Sequence, residues 1–160
     1  MPCVAVTSLQ CLQATGAPWA NRTNVTVVIT SGQGGTGFIG IQLAKLLSAT
    51  NVYTAASGAG IPFVESLGAN LVVDFTKQNI FDSLPDDSVD IVYDNYGAPG
   101  TADKAMHAIR IGGVFLVMDT GGGIYVHLTY LLIPTVTYYA FKSQKKKIML
   151  NSTQTRYVRQ

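Results

Sequence analysis

Two rhythms of apolar residues alternate along this 160-residue chain. Residues 4–17 hold Val6, Leu9, Leu12 and Ala14 close to helical spacing and stop at Gly16, with Pro18 beyond, which predicts a short amphipathic helix. Residues 25–30 (VTVVIT) form a β-branched run of strand length. They lead directly into glycines at 32, 34, 35 and 37, and then into Phe38, Ile39, Ile41, Leu43, Ala44, Leu46 and Leu47 at helical period. That stretch predicts a buried strand, a tight turn and a helix of about four turns. Residues 52–56 predict a second strand, 62–67 a short helix stopped by Gly68, and 71–74 a third strand. A helical turn over 79–84 precedes a fourth strand over 89–93. Residues 101–109 predict a helix with Ala102, Ala105, Met106 and Ile109 on one face, closed by Gly112-Gly113. A fifth strand over 114–118 and a sixth over 146–151 complete the pattern.

Strands alternating with helices argue for a parallel sheet covered on both faces, an α/β doubly wound fold of about six strands in the order 3-2-1-4-5-6. In such sheets ligands gather at the carboxyl ends of the strands. Here those ends are the glycine loop, Ser57-Gly58, Asn95 to Gly97 and Thr120-Gly121, all small or polar. The glycine spacing Gly32-x-Gly34-x-x-Gly37 between a strand and a helix is that of a dinucleotide site. The turn must be tight, the backbone must approach a pyrophosphate, and the helix N-terminus offers N–H groups and a partial positive charge. Glycine turns also join strands to helices for steric reasons alone, so the spacing gains its meaning from the two flanking elements.

Composition changes this picture little. The hydrophobic fraction is 48% and the charged fraction 12%, which fits one domain with a substantial core. From Lys142 onward there are six basic residues and no acidic one, against five basic and nine acidic before it. No aromatic-rich reader motif accompanies those lysines, so a solvated turn before the last strand is expected and nucleic acid is not a predicted partner. Residues 124–141 carry no charge and reach the lower length limit of a membrane span. Pro134, His127 and the hydroxyl-bearing residues argue instead for a broken helix over the sheet or a surface for another domain. Cys3 and Cys11 match no metal or disulfide spacing, and His107 and His127 have no partner at ligand spacing, so no metal is expected. Met1-Pro2-Cys3 lacks a basic leader, and the expected location is cytoplasmic.

SGQGGTGFIGIQLAKLL, SLGANLVVDFTKQ, DIVYDNYG and IRIGGVFLVM, in this order and spacing, resemble the cofactor domain of the medium-chain dehydrogenase/reductase superfamily. Within it the zinc-independent quinone oxidoreductase and enone reductase branch is the nearest match. The resemblance runs over residues 4–121 and implies a Rossmann domain. It implies that Gly34, Gly35, Thr36 and Gly37 cradle the pyrophosphate, with Gly32 opening the motif, and that Ser57 lies by the adenosine ribose or its phosphate. Asn95, Tyr96 and Gly97 would approach the nicotinamide side, with Thr120 and Gly121 beyond the fifth strand. The implied chemistry is hydride transfer from NAD(P)H to a quinone or an α,β-unsaturated carbonyl.

At the end of the second strand, Ala56-Ser57 stands where an NAD-binding unit carries a carboxylate for the ribose, which tilts the choice towards NADP over NAD. No Arg or Lys lies between Lys45 and Lys77 to meet a 2′-phosphate. Branch members using NADPH often carry a lysine where this sequence has Gly60 and an aromatic hydroxyl where it has Phe75. The family also pairs this domain with a barrel-like catalytic domain. Residues 1–160 are expected to be the single NAD(P)-binding domain without that partner, so a carbonyl or quinone substrate would need a catalytic half. Two alternatives stand beside this reading: a non-catalytic nicotinamide-binding or redox-sensing module, and an extended short-chain dehydrogenase using Tyr138 and Lys142, whose spacing copies that family's catalytic pair. A homodimer through the edge strand over 146–151 is a further expectation.

Overall fold

The computed structural model of the chain describes residues 2–119, 137–142 and 146–150. Helix α1 (Pro2–Ala14) precedes strand β1 (Thr26–Ile29), helix α2 (Gly35–Leu46) and strand β2 (Asn51–Ala56). Helix α3 (Gly60–Ser66), strand β3 (Leu71–Asp74) and a 3-10 turn (Ile80–Ser83) come next. They are followed by β4 (Val89–Asp94), α4 (Thr101–Ala105), β5 (Ile109–Asp119), β6 (Thr137–Lys142) and β7 (Lys146–Leu150). The sheet order is β3-β2-β1-β4-β5-β6-β7. Neighbours pair in parallel through β6, and β7 runs antiparallel to it.

Both faces of the central strands are buried, as a doubly wound sheet requires. Val27 and Ile29 of β1, Ile91 and Tyr93 of β4 and Leu116 of β5 pack with Cys11, Leu12, Trp19, Ile41 and Ala44 on the side of α1 and α2. The alternate residues Val28, Val92 and Phe115 pack with Ile80, Phe81, Leu84, Ala105 and Ala108 on the other side. The strand period of two thus sends each central strand into two separate cores.

Four expectations are corrected. The sixth strand of the sheet is residues 137–142, and 146–150, expected there, form a seventh strand at the edge. The helix expected over 101–109 stops at Ala105, because Ile109 already pairs with Val89 in the sheet. Gly112-Gly113 therefore does not close a helix but lies in a β5 irregularity where the register against β4 shifts between Val89 and Ile91. Gly112 takes φ +79°, and a Cβ at Gly113 would sit 2.9 Å from the Arg110 carbonyl oxygen and 3.1 Å from that of Asp90. Helix α1 buries Ser8, Cys11 and Leu12, one turn apart, and exposes Val6. Its inner face contains a serine because that hydroxyl donates to the Thr36 carbonyl at 2.9 Å.

At the amino ends of the strands, the buried Asp90 carboxylate accepts from the Thr26 N–H at 2.8 Å and pairs with Arg22 at 2.9 Å and with Arg110. It ties the lead-in to β1 and the β5 irregularity to β4. No helix among the described residues is long and apolar enough to cross a membrane. The uncharged stretch 124–141 lies outside the described residues except for 137–141, which is strand.

Candidate functional site

The carboxyl ends of β1, β2 and β4 open onto one edge, and the loop from Thr30 to Gly34 occupies its centre. The Thr30 N–H reaches the Tyr93 carbonyl at 3.2 Å and the Gly32 N–H reaches that of Ala55 at 2.9 Å, so the loop is pinned to both flanking strands. The absence of side chains is what permits this path. A Cβ at Gly32 would collide with the Thr54 side chain, and one at Gly37 would collide with the Ser31 carbonyl oxygen. Thr54 is itself fixed by donating to the Ile29 carbonyl at 2.6 Å.

Helix α2 begins directly behind this turn. Gly34 is its N-cap, with φ −72° and ψ 161°, and supplies no side-chain cap to the first amides. A twelve-residue helix thus presents uncapped N–H groups at Gly35 and Thr36 directly after a glycine that carries no side chain. That arrangement fits a phosphate-bearing ligand by donor geometry and dipole together.

Asn95 joins the end of β4 to the loop. Its Oδ1 accepts the Ser31 N–H at 2.9 Å while its Nδ2 donates to the Ser31 carbonyl at 2.9 Å and to Thr36 Oγ1 at 3.2 Å. The residue is buried, and these three bonds, with a fourth from Thr30 Oγ1 at 3.3 Å, tie it to the glycine loop. Asp94 beside it accepts the Thr30 hydroxyl at 2.7 Å and the Gly97 N–H at 2.9 Å. Burial pushes the Asp94 carboxyl above the usual carboxylate range, and the bonds from Gly97, Thr30 and Tyr96 pull it partly back. Gly97 takes φ +69°, a left-handed conformation suited to glycine. Tyr96 is 67% exposed and stands free of these bonds at the rim, apart from its backbone N–H to Asp94 at 3.3 Å.

The site residues expected from sequence thus divide into groups. Gly32, Gly34, Gly35, Thr36 and Gly37 form the loop and helix start, with Asn95 bonded to them and Gly97 held by Asp94. Ser57, at the end of β2, is joined to the loop through Gln33: its N–H donates to Gln33 Oε1 at 2.9 Å. Thr120 and Gly121 lie outside the described residues. Sequence reasoning missed Gln33, Thr30 and Thr54 as parts of the edge. Gln33 was visible only as the one long side chain inside the glycine motif.

Two other expectations bear on chemistry. Tyr138 and Lys142 lie on strand β6, where four residues separate Cα atoms by about 13 Å. The pairing of a lysine with a tyrosine that it activates uses the one-turn proximity of a helix, which a strand does not provide. His107 is exposed on the α4 side, its Nδ1 3.0 Å from the Lys104 carbonyl oxygen, and His127 lies outside the described residues. Among the described residues, no three His, Cys, Asp or Glu side chains are grouped to hold a metal ion. Cys11 is buried, and that burial pushes its thiol up to about 11.

Comparison with known proteins follows the same outline. The family model of zinc-binding dehydrogenases matches residues 35–145. The chain is 44% identical over 89 residues to an NADPH-dependent alkenal/one oxidoreductase, chloroplastic, from Arabidopsis thaliana, a match covering 55% of this chain and 22% of the relative. It is 37% identical over 94 residues to a 2-methylene-furan-3-one reductase from Solanum lycopersicum, covering 58% and 23%. Among solved structures, the quinone oxidoreductase from Coxiella burnetii superposes with a TM-score of 0.63 at 26% identity, covering 73% of this chain and 35% of that one. The matched segments span less than a quarter of the length of these two curated relatives.

Proposed function

This chain belongs to the zinc-binding dehydrogenase family, within the medium-chain dehydrogenase/reductase superfamily, and from that premise we propose that it serves as the NAD(P)-binding domain of a reductase. The proposed reaction is hydride transfer from NAD(P)H to the conjugated double bond of an enone or to a quinone. The observation that carries the proposal is the joint between β1 and α2. There Gly37 leaves room for the Ser31 carbonyl, and the uncapped start of α2 faces the ligand edge. The names of the plant relatives and of the bacterial quinone oxidoreductase support the substrate class.

When bound, the nicotinamide supplies the hydride. The chain's own residues bind and orient it. The amides of Gly35 and Thr36 would receive the pyrophosphate, Ser57 the adenosine ribose or its phosphate, and the edge at Asn95, Tyr96 and Gly97 the nicotinamide end. Asn95 contributes by holding Ser31 and Thr36, so the loop keeps its shape before the ligand arrives. NADP is proposed over NAD because Ala56 and Ser57 place no carboxylate at the end of β2 to repel a 2′-phosphate. The NADPH dependence in the name of the Arabidopsis relative supports the same choice. The described residues offer no zinc ligand set, and no step of the proposal uses zinc.

Titration of the purified chain with NADPH and with NADH, followed by heat and by nicotinamide fluorescence, tests the proposal. Saturable binding with NADPH the tighter ligand is expected. Absence of saturation by either at millimolar concentration would refute it. Self-association through β7, an end strand of the sheet, is a further part of the proposal. Light scattering after size exclusion should give twice the chain mass, and a monomer mass at all concentrations would remove that part.

A further inference from the structure

Gln33 sits between Gly32 and Gly34, and its side chain leaves the loop to cross to the end of β2. Its Oε1 accepts the Ser57 N–H at 2.9 Å, and its Nε2 donates to Ser57 Oγ at 3.4 Å. Gly60, the first residue of α3, makes space for this clasp, since a Cβ there would collide with the same Oε1. Residues 46–76 contain no lysine or arginine. The donors this stretch can offer an anion near Ser57 are therefore neutral ones, and the carboxamide oxygen of Gln33 already engages the Ser57 amide.

We infer that Gln33 is a specificity-determining residue that competes, through its clasp on Ser57, with a phosphate on the 2′-oxygen of the adenosine ribose. The inference rests on the proposed dinucleotide site and concerns how that site reads its ligand. A 2′-phosphate oxygen needs the N–H that Gln33 Oε1 accepts, so the carboxamide must swing out before the phosphate can bind. A plain ribose hydroxyl needs no such displacement. The wild-type chain consequently favours NADPH over NADH by less than a free Ser57 N–H would allow.

The test is the ratio of the NADH to the NADPH dissociation constant, measured for wild type and three variants by titration calorimetry. Gln33→Ala frees the Ser57 N–H and should raise the ratio about threefold to tenfold, the change that a net hydrogen bond makes. Gly60→Ala should raise it similarly, because the added methyl expels the carboxamide, and the Gln33→Ala/Gly60→Ala double variant should go no further than either. Gln33→Glu, which sets a carboxylate against the phosphate, should lower it. An unmoved or lowered ratio in Gln33→Ala, or a rise there that Gly60→Ala does not share, overturns the inference while leaving dinucleotide binding intact. If wild type saturates with neither NADH nor NADPH, the dinucleotide site itself falls, and the inference with it.

Discussion

Changing Asn95 to aspartate alters one atom in the bond that shapes the glycine loop. The Nδ2 that donates to the Ser31 carbonyl at 2.9 Å becomes an oxygen, so two acceptors face each other at hydrogen-bond distance. Thr36 Oγ1, the other acceptor of that Nδ2 at 3.2 Å, can turn its own proton towards the new oxygen; a backbone carbonyl has no such option. Leaving that partner unsatisfied costs about 1–3 kcal/mol. Burying a carboxylate next to the Asp94 carboxyl, with Thr30 Oγ1 donating to both residues, adds more, for a total of about 2–4 kcal/mol at neutral pH.

The penalty should depend on pH, and its sign follows from the site. Burial and the neighbouring Asp94 raise the folded-state pKa of the introduced carboxyl above its unfolded value of about 3.9. Below that value the acid is protonated in both states, and its O–H can donate to the Ser31 carbonyl as the amide did. As pH rises through the folded value, the native state must give up that proton or resist ionising, and stability relative to wild type is lost. Urea unfolding followed by circular dichroism should show Asn95→Asp near the wild-type midpoint at about pH 4 and about 1–2 M below it at pH 7, given a slope of about 1–3 kcal/mol/M. Asn95→Ser, with no titrating group, should lose a constant amount. A midpoint unchanged at pH 7, or a deficit that does not vary with pH, would refute this account of Asn95.

Gly37→Ala should weaken dinucleotide binding at least tenfold and cost about 1–3 kcal/mol of stability, because its methyl displaces the Ser31 carbonyl; wild-type affinity in that variant, measured by nicotinamide fluorescence, would show the close approach is not needed. Asp94→Asn keeps an Oδ1 acceptor for Thr30 and Gly97 and removes a carboxyl whose folded pKa is raised. It should abolish the part of the stability present below about pH 4 and lost as pH rises through the folded value, giving a flatter pH profile in thermal melts. Asp90→Ala strands the buried Thr26 N–H and frees Arg22 and Arg110, both about 40% exposed, to turn to water. A loss of about 2–4 kcal/mol in urea unfolding is expected, with NADPH affinity unchanged, since Asp90 lies at the opposite end of the sheet.

The parallel sheet was legible because each central strand is a short apolar run buried on both faces, a pattern that depends on neighbours only for its order. Where the structure departs from the local pattern, a tertiary contact outweighs it. Ala102, Ala105, Met106 and Ile109 are spaced for a helix, yet Ile109 pairs with Val89 once the chain reaches β4. Gly112-Gly113 looks like a helix stop, and is a place where two carbonyls come within 3.1 Å of the added carbon. Hydropathy alone puts Val6 on the inner face of α1, because a buried serine carries no hydrophobic signal; the bond of Ser8 to Thr36 explains its place there.

The site shows the same division more sharply. Glycine spacing identifies where backbone must approach backbone, since that constraint acts between residues close in sequence. What holds the turn open is long-range: Asn95 reaches Ser31 across 64 positions and Gln33 reaches Ser57 across 24. Neither pairing follows from propensity or period, and both glutamine and asparagine are unremarkable in loops. Their effects should also differ in kind. Asn95 bonds both the backbone donor and the backbone acceptor of one residue, Ser31, from a buried position, so losing it disturbs the loop whether or not ligand is present. Gln33 is exposed and accepts a single N–H, so its removal should cost about 1 kcal/mol, the net value of one hydrogen bond, while changing which ligand wins. Thermal melts of Gln33→Ala and Asn95→Ser, each with and without NADPH, separate the two roles. A large loss of melting temperature in ligand-free Gln33→Ala would assign that clasp to the fold rather than to selection.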